Sequence, residues 1–250
     1  MSGPELEAIL NNVITPRVKD LAFSGGEIFT AKGLLNKALG YVKEKRKKLS
    51  PSLRVIVQTN GFWAKDKDSA YAVLKGLYGL GVNLVDLTSI DDYHKEQGLD
   101  VDRLESSDSC LDKALQKVNK GFLFGSSCDL KLGKRGADGG VMPFGRAKSL
   151  SNKHHQEYFT CMLGKAYINR CITINPHGDA YACCWEVPYL GSALESTADE
   201  LIEKAAKNPI LHALMEEGPK GVAKEIGVYN EGDSYRNECV KCAELFGALK

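Results

Sequence analysis

The chain lacks a dominant charge. Its 33 lysines and arginines stand against 32 aspartates and glutamates, a formal charge of +1, so there is no basic footprint for nucleic acid or for an anionic membrane. It also lacks any apolar run near the roughly 20 residues that cross a bilayer. Its opening, Met1-Ser-Gly-Pro-Glu-Leu-Glu, has the pattern of neither a signal nor a transit peptide. These absences predict a cytoplasmic protein with neither nucleic acid nor membrane as partner. A third absence is local: eight cysteines are present, but none precedes Cys110.

What is present is ordinary in bulk. Hydrophobic residues make up 43% and charged residues 26% of 250, enough for a large α/β domain or a medium domain with a small appendage. The cysteines are not ordinary. Cys110 and Cys128 read as core or surface thiols, whereas Cys161, Cys171, Cys183, Cys184, Cys239 and Cys242 crowd the C-terminal part. In a reducing compartment such crowding points to metal or catalysis rather than disulfides.

Along the chain, Leu6, Ile9, Leu10 and Val13 repeat at helical spacing, and residues 18–23 read as a strand ending at Ser24-Gly-Gly-Glu27. A second helix is predicted over 31–49, with the run Lys43–Lys48 on its solvent face. A β-branched strand over 54–59 ends in Asn60-Gly61, a helix follows over 68–80, and a strand over 83–90 ends at Asp91-Asp92. Further on, the pattern predicts a helix over 110–119 and a strand region over 121–132. Strands alternating with crossover helices imply a parallel sheet, open or partly closed, whose functional groups sit at the strands' carboxyl ends. The polar stretch near residue 150 divides the chain into domains 1–150 and 151–250. In the second, Asn175-Pro-His-Gly-Asp179 reads as a hairpin turn at Gly178, followed by helices over 197–206 and 209–217.

Three strand ends in order, Ser24-Gly-Gly-Glu27, Gln58-Thr-Asn-Gly61 and Thr88-Ser-Ile-Asp-Asp-Tyr-His94, resemble stations of the radical S-adenosylmethionine (SAM) core. Phe144-Gly-Arg-Ala147 looks like the segment that closes such a core. The tail Cys161…Gly178-Asp-Ala-Tyr-Ala-Cys183…Cys239-Val-Lys-Cys242 resembles the SPASM or twitch auxiliary iron–sulfur motif. The resemblance covers nearly the whole chain. It implies an α/β fold: a partial (β/α)6 TIM-like barrel missing its first strand, with an unpaired sheet edge there, plus a small hairpin-and-helix iron–sulfur domain.

It also implies roles. Gly25, Gly26 and Glu27 would hold the amino group of SAM; Thr59 and Asn60 would lie near the ligand; Ser89 and Asp91 would lie near its ribose. Cys183, Cys239 and Cys242 would hold a [4Fe-4S] auxiliary cluster with Cys161 as fourth ligand. Cys171 is the alternative fourth ligand, with six residues between it and Gly178 against 16 for Cys161. Structural zinc is the rival occupant, although zinc ribbons usually carry two Cys-x2-Cys knuckles and this tail has one. No catalytic residue is assigned.

The activity implied is hydrogen abstraction from a peptide or small-molecule substrate, with flavodoxin or ferredoxin as electron donor. The family's Cys-x3-Cys-x2-Cys triplet, however, is not in the sequence. Two expectations follow: a fragment of a complete radical SAM enzyme, or a degenerate non-catalytic iron–sulfur or zinc protein acting as a binding partner or substrate-recognition subunit.

Overall fold

The computed structural model describes residues 1–87, 95–96, 98–100, 113–114, 118, 131–134, 172–183, 188–232 and 238–247. The chain divides into two compact units. One spans Pro16–Gly140; the other joins Met1–Thr15 to Val141–Lys250. Both differ from a simple cut near residue 150, because the N-terminal helix clusters with the C-terminal part.

The first unit is built on a four-stranded sheet in the order β1 (Asp20–Phe23), β2 (Arg54–Thr59), β3 (Leu84–Leu87) and β4 (Lys131–Lys134), every neighbour pair parallel. Helix α2 (Lys32–Leu49) joins β1 to β2, and α3 (Lys67–Gly79) joins β2 to β3. Both steps go the same way along the sheet, so right-handed crossovers put both helices on one face. Side-chain alternation agrees. Val55 and Val57 on β2 and Val85 on β3 are buried, as are Leu35, Leu39, Val42, Leu74 and Leu77 of the helices. The opposite face carries half-buried Ile56, Gln58 and Leu84 and exposed Ala22.

α3 starts where Asp66 accepts from the amides of Asp68 and Ser69, at 2.9 and 2.8 Å, which satisfies two of the helix's orphan donors. Arg46 of α2 donates to Asn83 Oδ1 at 3.0 Å, and the same oxygen accepts from the Val55 amide at 2.9 Å. That fixes the amino ends of β2 and β3 against the helix. The fold is therefore mixed α/β with a parallel sheet, as the alternation predicts. Among the described residues the sheet stays open, with β1 and β4 at its edges and no closing pair; barrel closure is not found. The predicted helix over 110–119 lies almost wholly outside the described residues, and of the predicted strand region over 121–132 only Lys131 and Leu132 are described, as the start of β4.

The second unit has a three-stranded antiparallel sheet, β5 (Thr173–Ile174), β6 (Asp179–Tyr181) and β7 (Tyr189–Ser192). Around it lie α1 (Gly3–Val13), α4 (Ala198–Ala206), α5 (Pro209–Glu217), α6 (Pro219–Glu225) and α7 (Glu238–Gly247). The β5–β6 turn is set by Asn175, whose Oδ1 accepts from the amides of His177 and Asp179 at 2.9 and 3.1 Å. Gly178 closes it at φ +89°. A side chain there would be strained, and its Cβ would lie 3.0 Å from Leu194 and 3.5 Å from Ile9 of α1.

α1 docks through buried Leu6, Ile9, Leu10 and Val13, and Asn12 Nδ2 donates to the carbonyls of Ala193 and Leu194 at 2.9 and 3.2 Å. Its start is a capping box in which Ser2 and Glu5 satisfy each other's amides. α4 starts the same way, on Thr197 and Glu200. α5 and α6 cross closely at Gly221, where a Cβ would run into the carbonyl of Ala213. Among the described residues, no helix is long and apolar enough to cross a membrane.

Candidate functional site

Parallel strands end together, and in the sheet unit those ends gather the glycine pair and its neighbours. β1 runs out into Ser24, Gly25 and Gly26, all exposed. Gly25 sits at φ +142°, outside the range an L side chain favours, and a Cβ built on either glycine meets nothing within 4 Å. The backbone there is open to close approach by a ligand.

Glu27 then turns back into the protein. It caps a short 3-10 turn, Ile28–Ala31, by accepting from the Phe29 amide at 3.0 Å. Its second oxygen accepts from the Asn60 amide at 2.8 Å, and the Thr59 hydroxyl lies 3.0 Å from both oxygens. Three donors therefore engage a carboxylate with about four acceptor positions. One position remains, which suits a further donor such as an ammonium group.

Thr59, 1% exposed, has its full complement of partners. It donates to Glu27 and accepts from the Gly61 amide at 3.1 Å and the Trp63 indole nitrogen at 3.0 Å. With its proton and both lone pairs used, the hydroxyl holds Glu27 and leaves no capacity for a ligand. Trp63 is buried and packs its ring 5.2 Å from that of Phe29. Asn60 donates its backbone amide to Glu27, and its side-chain oxygen accepts from the Phe62 amide at 3.0 Å. Glu27, Phe29, Thr59, Asn60 and Trp63 thus form one latch tying the loop after β1 to the loop after β2.

Two groups went unassigned in the sequence. Trp63 joins the latch, and on the sheet face away from the helices Gln58 Nε2 donates to Asp86 at 2.9 Å, a pair set by the register that places Gln58 beside Asp86. Asp86 is 4% exposed. The sequence signal for this pair is the polar penultimate position of each strand, directly after the apolar runs Val55-Ile-Val57 and Leu84-Val85. Ser89 and Asp91, assigned to the ribose, lie outside the described residues.

In the second unit, Cys183 is half-buried two residues beyond β6, and Cys239 and Cys242 lie on α7, each 7% exposed. A spacing of three on a helix puts Cys239 and Cys242 on one face, one turn apart. Thiolates are the donors an iron–sulfur cluster or a structural zinc takes, so the donor chemistry fits. Among the described residues, no three histidine, cysteine or acidic side chains lie close enough together to hold one metal ion. Cys161 and Cys171, the alternative fourth ligands, fall outside the described residues. No protein-family model matches the chain, and no curated protein matches it.

Proposed function

We propose that the sheet unit binds SAM at the carboxyl ends of its strands and that the second unit holds a [4Fe-4S] cluster through Cys183, Cys239, Cys242 and Cys161. On this reading the chain is radical SAM machinery of the auxiliary-cluster type, acting in the cytoplasm on a peptide or small molecule, with a flavodoxin or ferredoxin as electron source. The observation that carries it is the latch: an open glycine pair followed by a carboxylate with one unused acceptor, which is held by Thr59 at the end of the neighbouring strand and by Asn60 just beyond it. Two helices stepping along one face of the sheet support a partial (β/α)6 barrel, since a barrel is wound with its helices outside.

Gly25 and Gly26 admit the ligand's amino-acid end, and Glu27 accepts from its ammonium. Thr59, Asn60 and Phe29 keep Glu27 in place before the ligand arrives, so little ordering is left to be done on binding. Bound SAM supplies one-electron, hydrogen-abstracting chemistry when a reduced cluster lies beside it. The three thiolates for that cluster are not assigned to any residue of this chain. Because the sequence has no Cys-x3-Cys-x2-Cys, the second reading is a non-catalytic iron–sulfur or zinc protein that recognises a substrate for a partner.

Calorimetric titration of S-adenosylhomocysteine into the whole chain tests the SAM site. One saturable site is expected, abolished by Gly26→Val, at a position where an added Cβ meets nothing within 4 Å. No saturable binding by the wild type would overturn the reading.

A further inference from the structure

The loop after β2 holds an aromatic ring in solvent. Phe62 is 41% exposed, yet its neighbours Trp63 and Ala64 are buried. Nearly every amide around it is committed: Asn60 to Glu27, Gly61 to Thr59, Phe62 to Asn60 Oδ1 and Ala64 to the Gly61 carbonyl at 2.9 Å. Gly61 adopts φ +75° to make the turn. A single exposed apolar side chain is ordinary on a protein surface. This one differs because the loop beneath it is pinned on both sides and because it stands at the carboxyl end of β2, whose Asn60 also grips the loop bearing Gly25 and Gly26. A ring pre-positioned at a ligand-binding edge loses little entropy when something flat lies on it.

We infer that Phe62 is the stacking platform for the planar base of an adenosyl ligand, a subsite distinct from the glycine pair and Glu27, which take the amino-acid end. The inference rests on the proposed SAM site. Every nucleobase has a π face, and stacking on an aromatic side chain needs no hydrogen bond to the base. That matches a platform whose own loop amides are already used. The polar end of the ligand is then read by Glu27 and the apolar, planar end by Phe62, with Asn60 and Gly61 between them.

Phe62→Ala and Phe62→Tyr should be titrated with S-adenosylhomocysteine and with S-methylmethionine, which has the sulfonium amino-acid end and no base. Phe62→Ala is expected to weaken S-adenosylhomocysteine roughly ten- to hundredfold, to leave S-methylmethionine unchanged, and to be rescued by Phe62→Tyr. Equal affinity of wild type and Phe62→Ala for S-adenosylhomocysteine would overturn the inference while leaving the SAM site standing, and would free Phe62 for an apolar group of the substrate. Parallel loss of both ligands would overturn it as well, by showing that the ring supports the loop rather than the base. Failure of the wild type to bind either compound removes the site and the platform together.

Discussion

The two units prepare their candidate ligand groups in different ways. In the sheet unit the groups come from adjacent parallel strands, and side-chain hydrogen bonds lock them: Glu27 is held by three donors and Thr59 is saturated. In the cysteine unit the thiols come from the end of a hairpin and from a helix more than fifty residues later, and the scaffold is held by helix caps and by the docking of α1. Parallel strand ends converge by topology, so a site built there needs only local ties. Ligands drawn from distant segments converge when a metal or cluster draws them in, and binding energy then becomes folding energy.

The sharpest way to break this contrast is to hollow out each core in turn. Leu39 of α2 and Leu201 of α4 are both fully buried, and replacing either by alanine should cost about 2–5 kcal/mol. Leu39→Ala should lower the unfolding midpoint reported from the sheet unit, and Leu201→Ala that reported from the other, as read by hydrogen exchange along the chain. If both variants loosen both units equally, the two do not unfold separately and the contrast fails.

A smaller effect sharpens it. Thr59→Val keeps the shape but strips the partners from Glu27, the Gly61 amide and the Trp63 indole, which should cost roughly 2–4 kcal/mol, confined to the sheet unit. Thr59→Ser should recover most of this. A neutral Thr59→Val, measured by urea unfolding, would mean that the latch is ornamental.

The smallest effect is on pH, and it falls on the other unit. The Ser2 backbone amide, then the Ser2 hydroxyl, hold the Glu5 carboxyl below its ordinary value of 4.5, and Thr197 does the same for Glu200. Folded values below the unfolded ones mean that these caps contribute fully above about pH 4.5 and fade as pH falls through the lowered values. Glu5→Gln with Glu200→Gln keeps the capping geometry without the charge. The stability advantage of wild type over this pair, followed by thermal melts from pH 6 to about pH 3, should therefore shrink on acidification. An advantage that stays constant would show that the carboxylates are not the titrating caps.

Much of the sheet unit was legible because its signals are local. Val55, Ile56 and Val57 are β-branched and alternate, and β2 runs over 54–59 as predicted; the glycine pair with its carboxylate stood out at a strand end. The latch was not legible, since the meeting of Glu27 with Thr59 and Asn60 depends on how β1 and β2 align. In the second unit, β7 is four residues long with Gly191 at φ +139°, too short to show a period. α6 crosses α5 closely at Gly221, a contact between helices that no local pattern reveals. The Cys-x2-Cys spacing of α7 marks a metal knuckle in the sequence, and the same segment is a helix. The place of α1 could not be read locally at all, because Asn12 finds its partner 181 residues away.

The central claim is that the two units serve two cofactors, and metal analysis of the cysteine unit tests it most directly. The whole chain should be reconstituted anaerobically with iron and sulfide, and iron, labile sulfide and zinc counted per chain for wild type and for Cys239→Ala with Cys242→Ala. About four irons with matching sulfide, lost in the double variant, is the predicted result. Stoichiometric zinc without labile sulfide would contradict it.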